Sequence, residues 1–154
     1  MDQYQDEKYM RMALEEAEAA AAHGDVPVGA VVVRDGEVVG RAHNRRELDH
    51  VATAHAELLA MEQACRAIGS WRLSECTLYV TLEPCPMCAG TAVNARVGRV
   101  VYGAKDAKAG AMGSVLNVNA YPLNHKPTIE SGVLAKECAD CLKIFFESKR
   151  KKGN

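Results

Sequence analysis

His55-Ala56-Glu57-Leu58-Leu59-Ala60-Met61, followed by Thr77-Leu78-Tyr79-Val80-Thr81-Leu82-Glu83-Pro84-Cys85-Pro86-Met87-Cys88, is the stretch whose reading decides this fold. From His55 the pattern Ala56, Leu58, Leu59, Met61, Glu62, Cys65 and Ile68 reads as a helix stopped at Gly69. That helix carries the chain away by roughly 21 Å at 1.5 Å per residue. Thr77 to Leu82 is rich in β-branched and aromatic residues and reads as a strand. At about 3.3 Å per residue the strand returns about 20 Å. Cys85 therefore comes back to the level of His55. Pro84 and Pro86 cannot continue a central strand, and Pro86 suits the first turn of a second helix.

The two ends of this stretch supply one imidazole and two thiols. Those are ligands for zinc, and three protein ligands leave one tetrahedral position open, as catalytic zinc sites do. Zinc lowers the pKa of bound water toward neutrality. Glu57 is not needed as a ligand and is free to move protons. Both ligand groups fall at helix N-termini, where the positive dipole end favours thiolate and hydroxide. Residues two apart on a helix do not face the same way. His55 and Glu57 can share one site only if it lies over the helix end, which a place for His55 in the first turn allows. Cys-x-x-Cys alone would equally describe a redox pair, a structural zinc half-site or two core thiols. A closed zinc site with Cys76 or His50 as fourth ligand is the structural alternative, and it leaves Glu57 and the two prolines without a role.

Outward from there, Asp6 to His23 reads as a helix with Tyr9, Met12, Ala13, Ala17, Ala20 and Ala21 on one face. Val28 to Val33 and Glu37 to Arg41 are strands joined at Asp35-Gly36, a hairpin signal. A loop runs from His43 to His50. Pro86 through Ala95 is a helix and Val97 to Tyr102 a strand, paired in parallel with the Thr77 strand by a right-handed crossover. Gly103 to Pro127 is long and irregular, as functional loops are, with a short helix expected at Ser114 to Val118. Lys126 to Ser131 holds a last strand. Leu134 to Lys151 is a closing helix with Leu134, Cys138, Cys141, Leu142, Phe145 and Phe146 on its apolar side. The expectation is α/β: three layers, a mixed five-stranded sheet with helices on both faces, and a site at the carboxyl end of a strand.

The 154 residues suffice for one domain, 1–154, and are too few for two comfortable ones. No apolar run approaches a membrane span, and the polar start of the chain is no secretory signal. Six cysteines without a secretory context point to metal or free thiols, so a cytoplasmic protein is expected. A net charge of −1 excludes a global basic field. Acid gathers in the first helix (Asp6, Glu7, Glu15, Glu16, Glu18) and base in the last (Lys143, Lys149, Arg150, Lys151). The basic end is either a solvated helix terminus favoured by the dipole or a phosphate contact.

His55-Ala56-Glu57 with Pro84-Cys85-Pro86-Met87-Cys88 resembles the signature of the cytidine deaminase superfamily. Val26-Pro27-Val28-Gly29-Ala30, Asn44, Thr81-Leu82-Glu83-Pro84, Ala89-Gly90, the run from Arg96 to Lys108, Asn124-His125 and Phe145-Phe146 narrow the match. Together they resemble the bacterial tRNA-specific adenosine deaminases, from about Met10 to Arg150. The resemblance implies a cytidine deaminase-like fold and hydrolytic conversion of adenosine to inosine at the first anticodon position of a tRNA. It also implies a homodimer with one zinc ion per subunit. His55, Cys85 and Cys88 would bind zinc and Glu57 would shuttle protons. Asn44 would hydrogen-bond the flipped base, Val28 would pack against it, and an amide at Ala56 and a carbonyl near Glu83 would hold the base and leaving amine. Asp106, Lys108 and Asn124 would contact the ribose-phosphate chain, and Phe146, Lys149 and Arg150 the neighbouring nucleotides. Tyr121 departs from the resemblance, where relatives carry histidine. Cys138 and Cys141 read as core or surface thiols, and His125 as a structural or phosphate contact. Two other functions stay open: a free guanine or cytosine deaminase with the same chemistry, and a non-enzymatic zinc-stabilised RNA-binding module.

Overall fold

The computed structural model describes residues 3–152; the outermost positions of the 1–154 domain reading lie outside them. Along the chain run α1 (Gln3–Ala22), β1 (Gly29–Arg34), β2 (Glu37–His43), α2 (Arg46–Asp49), α3 (Ala56–Ile68), β3 (Cys76–Leu82), α4 (Pro86–Asn94), β4 (Arg99–Ala104), β5 (Thr128–Ser131) and α5 (Ala135–Lys152). The strands form one mixed sheet in the order β2-β1-β3-β4-β5. β1 is antiparallel to β2 and β3, while β3, β4 and β5 are parallel. The β1–β2 turn has positive φ at both Asp35 and Gly36, the mirror-image turn that Asp-Gly favours between twisted strands.

Period-two alternation sorts the sheet's side chains into two cores. Ala30, Val32, Leu78, Val80 and Val100 face Ala60, Met61 and Ala64 of α3 and Ala89, Ala92 and Val93 of α4. Val31, Val33, Tyr79 and Val101 face Tyr9, Met10 and Ala13 of α1 and Cys138 of α5. The three-layer expectation is met. Asp6 ties the α1 layer to the sheet: buried, it accepts bonds from the Tyr79 hydroxyl (2.8 Å) and from both terminal nitrogens of Arg99 (2.9 and 2.6 Å). Burial alone would raise its pKa, but the bonds from Arg99 and Tyr79 and the Arg99 charge outweigh it and hold the carboxyl below 3.8.

Four local readings need correction. The expected helix at Ser114 to Val118 is absent; a single 3-10 turn forms at Val118–Ala120, capped by the Asn117 side chain, which accepts from Asn119 N–H. The loop after β2 contains the one-turn α2. β4 begins at Arg99, after Gly98. Of the apolar stripe read along α5, Cys138 is buried, Leu134, Cys141, Leu142 and Phe145 are half-buried and Phe146 is 45% exposed, so the stripe is thinly covered within the chain.

Candidate metal centre and base pocket

Strand direction gathers the site. The register sets Gly29 opposite His43, Ala30 opposite Val80 and Leu82 beside Ala104. The residues just outside those pairs, Val28, Asn44, Glu83 and Asp106, therefore emerge at one edge of the sheet. α3 and α4 both begin at that edge. His55 is the residue immediately before α3, with extended φ −84 and ψ 147, and Glu57 lies in the first turn. His55 thus stands one step outside the turn in which the sequence reading put it. The helix bends no side chain around its flank: the site lies over its end. Cys85 has the same place before α4, with Pro86 opening the helix.

The His55 Nδ1 atom lies 3.7 Å from Cys85 Sγ and 3.6 Å from Cys88 Sγ. A tetrahedral ion with Zn–N about 2.05 Å and Zn–S about 2.3 Å requires an N···S edge of about 3.6 Å. The donor set and its spacing therefore fit zinc. Among the described residues the metal-holding group is these three alone. Cys76 sits at the far end of β3 and His50 closes α2, so neither supplies a fourth ligand.

The Cys85 thiol falls to about 3, first through its bond with Cys88, against burial, and with help from His55. Cys88, fully buried, is pushed up by that same bond, by burial and by Glu57. His55 is raised, chiefly by Cys85. Glu57, 4% exposed, is raised to about 7 by burial. A cation at this point needs both sulfurs and the imidazole deprotonated, and the lowered Cys85 thiol is in keeping with that.

Beside the cluster is a cavity of about 190 Å³, walled by Val28, Asn44, His55, Ala56, Glu57, Glu83, Cys85 and Asp106, together with Val26, Arg46, Leu82 and Ala109. That is roughly six times a water's share of liquid volume, room for a single ring system and not for a paired base. Ala56 opens α3, so its N–H has no intrahelical acceptor. A second hollow of about 280 Å³ shares Val26, Asn44 and Arg46 with the first and is lined by Phe145, Phe146, Lys149, Asp25 and Glu47. Phe145 and Phe146 meet edge to face at 5.4 Å, and the Lys149 ammonium lies 5.5 Å over the Phe145 ring.

The structure brings most of the sequence-derived residues together. Lys108, Asn124 and Arg150 are exposed and line neither hollow. Asn44 uses its side chain to shape the loop: Nδ2 donates to Val26 O (3.2 Å) and Oδ1 accepts from Arg46 N–H (3.1 Å). One hydrogen of Nδ2 and one lone pair of Oδ1 remain for a ligand. The Asp106 Oδ1 atom accepts from the N–H groups of Lys108 and Ala109. His125 Nε2–H donates to Val97 O at 2.6 Å, a structural contact. Sequence reasoning missed Asp25 and Arg46 and the work of the Glu83 side chain. An acidic residue between Gly24 and Val26 carries no pattern that announces its partners.

The chain matches the model of the MafB19-like deaminase family over residues 4–149. It is 51% identical to a tRNA-specific adenosine deaminase of Bacillus subtilis, over 96% of this chain and 92% of that protein. A solved structure from work on A-to-I editing by tRNA deaminases at the wobble position superposes with a TM-score of 0.85 at 43% identity, covering 88% of this chain and 99% of the other. A guanine deaminase from Nitrosomonas europaea shares the fold more distantly, with a TM-score of 0.75, 25% identity and coverage of 90% and 83%. The half-open His-Cys-Cys cluster, the carboxylate beside it and these similarities agree, and the chain belongs to the MafB19-like deaminases and to the tRNA-specific adenosine deaminase family.

Proposed function

We propose that this protein hydrolytically deaminates adenosine to inosine at the wobble position of tRNA, with one zinc ion per subunit held by His55, Cys85 and Cys88. The observation that carries the reading is a buried Glu57 beside a three-ligand cluster, at the floor of a cavity sized for one unpaired ring. Bound zinc supplies Lewis acidity that brings water toward hydroxide at neutral pH. Glu57 takes one proton from the attacking water and delivers it to N1 of adenine; it then carries the remaining proton of the added hydroxyl to the amine as the C–N bond breaks and the carbonyl forms, so that water is consumed and ammonia leaves. Val28 packs on the ring, while Asn44, the Ala56 amide and the Glu83 carbonyl hold its polar edges. The target base must leave its stack to enter, which a single-stranded anticodon loop makes inexpensive.

Asp106 holds the ribose, Lys108 and Asn124 the adjoining backbone. Phe146, with Lys149 and Arg150, receives a neighbouring nucleotide by stacking and charge. Among the described residues no helix is long and apolar enough to cross a membrane. The protein works in the cytoplasm as a homodimer and folds as one domain over 1–154.

The test is incubation of purified, zinc-loaded protein with unmodified tRNA, then sequencing for adenine-to-inosine conversion at the first anticodon position. Conversion at that position is the expected result. Turnover of free guanine or cytosine with an inert tRNA would instead establish a free-base deaminase.

A further inference from the structure

Two fully buried carboxylates take no part in the proton transfers above. Glu83 is 2% exposed and Asp25 1% exposed. Their hydrogen bonds go to N–H groups of the loops that wall the base cavity and to the Ser114 hydroxyl. Glu83 Oε1 accepts from Asp106 N–H (3.1 Å) and the Ser114 hydroxyl (2.5 Å), and its Oε2 accepts from Met112 N–H (3.0 Å) and Ser114 N–H (3.1 Å). The loop closes so tightly on this carboxylate that a Cβ at Gly110 would lie 2.3 Å from Glu83 Cδ. Asp25 does the same on the opposite wall, accepting from Glu47 N–H (2.6 Å) and Leu48 N–H (3.2 Å) at the start of α2. That turn follows Asn44 and Arg46, which line both hollows.

We infer that Glu83 and Asp25 are positioning residues: their buried carboxylates clamp the 105–116 loop and the 44–50 loop at the separation that admits an RNA nucleotide. The inference rests on the function proposed above. An ionised carboxylate accepts several N–H bonds at once and donates none. Each clamp gathers amides that have no strand or helix partner, that of the buried Met112 among them. Charge-assisted bonds of this kind are short and strong, so the loops need no regular structure of their own to hold a fixed shape. The 105–116 loop presents Asp106, and with it the contact to the ribose. Loss of either clamp loosens the RNA grip while leaving the metal ligands, which hang on α3 and α4, in place.

The experiment compares wild type with Glu83→Gln, Asp25→Asn and Ser114→Ala on an anticodon stem-loop, with metal content and amide hydrogen exchange measured on the same preparations. In Glu83→Gln one acceptor oxygen becomes an NH₂ that confronts N–H donors. Its KM should rise at least tenfold while kcat falls no more than threefold and metal content stays at one per chain. Exchange protection should disappear at Asp106, Met112 and Ser114 and persist in β1 and β3. Asp25→Asn should repeat the pattern at Glu47 and Leu48, and Ser114→Ala should give a smaller effect of the same sign. If Glu83→Gln fails to fold, Ser114→Ala and Asp25→Asn carry the test. Unchanged KM in the variants, or a fall in kcat together with loss of metal, would overturn the positioning role alone. A wild-type protein inactive on the stem-loop would overturn the functional reading and this inference with it.

Discussion

At Gly40 the backbone of α3, the helix that begins at the site, packs directly on the sheet, and replacing this glycine tests whether that contact sets the site. A Cβ built on Gly40 would lie 2.3 Å from Ala60 O and 3.2 Å from Ala64 N. An ordinary carbon–oxygen contact is about 3.3 Å or more, so α3 must withdraw by roughly 1 Å to admit one methyl group. Overpacking of this kind costs about 1–3 kcal/mol, offset in part by about 0.4–1 kcal/mol from the stiffer unfolded chain. For a protein of this size each kcal/mol lowers Tm by about 2–4 °C. Activity should suffer more than stability. Ala60 is one turn beyond Glu57, so the displacement falls on the end of α3 that carries His55 and Glu57, while Cys85 and Cys88 stay with α4. A misplacement of about 1 Å can cost on the order of 100-fold in rate. The assay pairs a thermal melt with kcat/KM on the anticodon stem-loop. Gly69→Ala is the control: at the other end of α3, with φ +76 and nothing within 4 Å, it should lose about 1–2 kcal/mol to backbone strain and keep its turnover. A Gly40→Ala protein with wild-type melting and wild-type turnover would refute the reasoning.

Glu57→Gln should retain zinc and substrate affinity and lose about 10²- to 10⁴-fold in kcat; wild-type turnover in a single-turnover assay would remove Glu57 from the proton path. Cys88→Ser should lower metal content and activity together, measured by metal analysis on the preparation used for kinetics. Asp6→Ala takes the buried acceptor from Arg99 and Tyr79, Arg99 keeping Glu130 at 2.8 Å, and should cost about 1–3 kcal/mol in a denaturant titration. The same carboxyl gives acid sensitivity. Its folded pKa lies below 3.8, so its contribution is full above the unfolded value and is lost as pH falls through the folded one. Wild type should therefore lose stability on acidification below about pH 4 more steeply than Asp6→Asn.

The stretch from His55 to Cys88 determined a great deal by itself. Helix out and strand back have matched lengths, so the imidazole and the thiols had to meet, and two prolines had to end the strand at the site. Asp35-Gly36 fixed its hairpin because both residues tolerate positive φ. Three consecutive valines in β1, Val31 to Val33, with β-branched and aromatic residues in β3, fixed central strands buried on both faces. These are local consequences of residue type and spacing, and they carry the three layers, the three residues of the cluster and Glu57 beside them.

What the sequence left undecided depends on partners distant along the chain. Nothing near Asp25 says that its carboxylate meets the amides of Glu47 and Leu48, and nothing near Glu83 says that its carboxylate gathers Asp106, Met112 and Ser114. The Ser114 to Val118 segment resembles a helix locally, yet the bonds from Ser114 to Glu83 and from Val118 N–H to Ala111 O take it elsewhere. Whether Phe146 faces core or solvent was equally hidden, because α5 presents adjacent aromatics and only its packing against the sheet chooses between them. Local pattern sets which backbone groups pair with near neighbours. The shape of the loops around the base cavity is set by buried carboxylates reaching across the fold, and that choice exists only once the strands have brought them together.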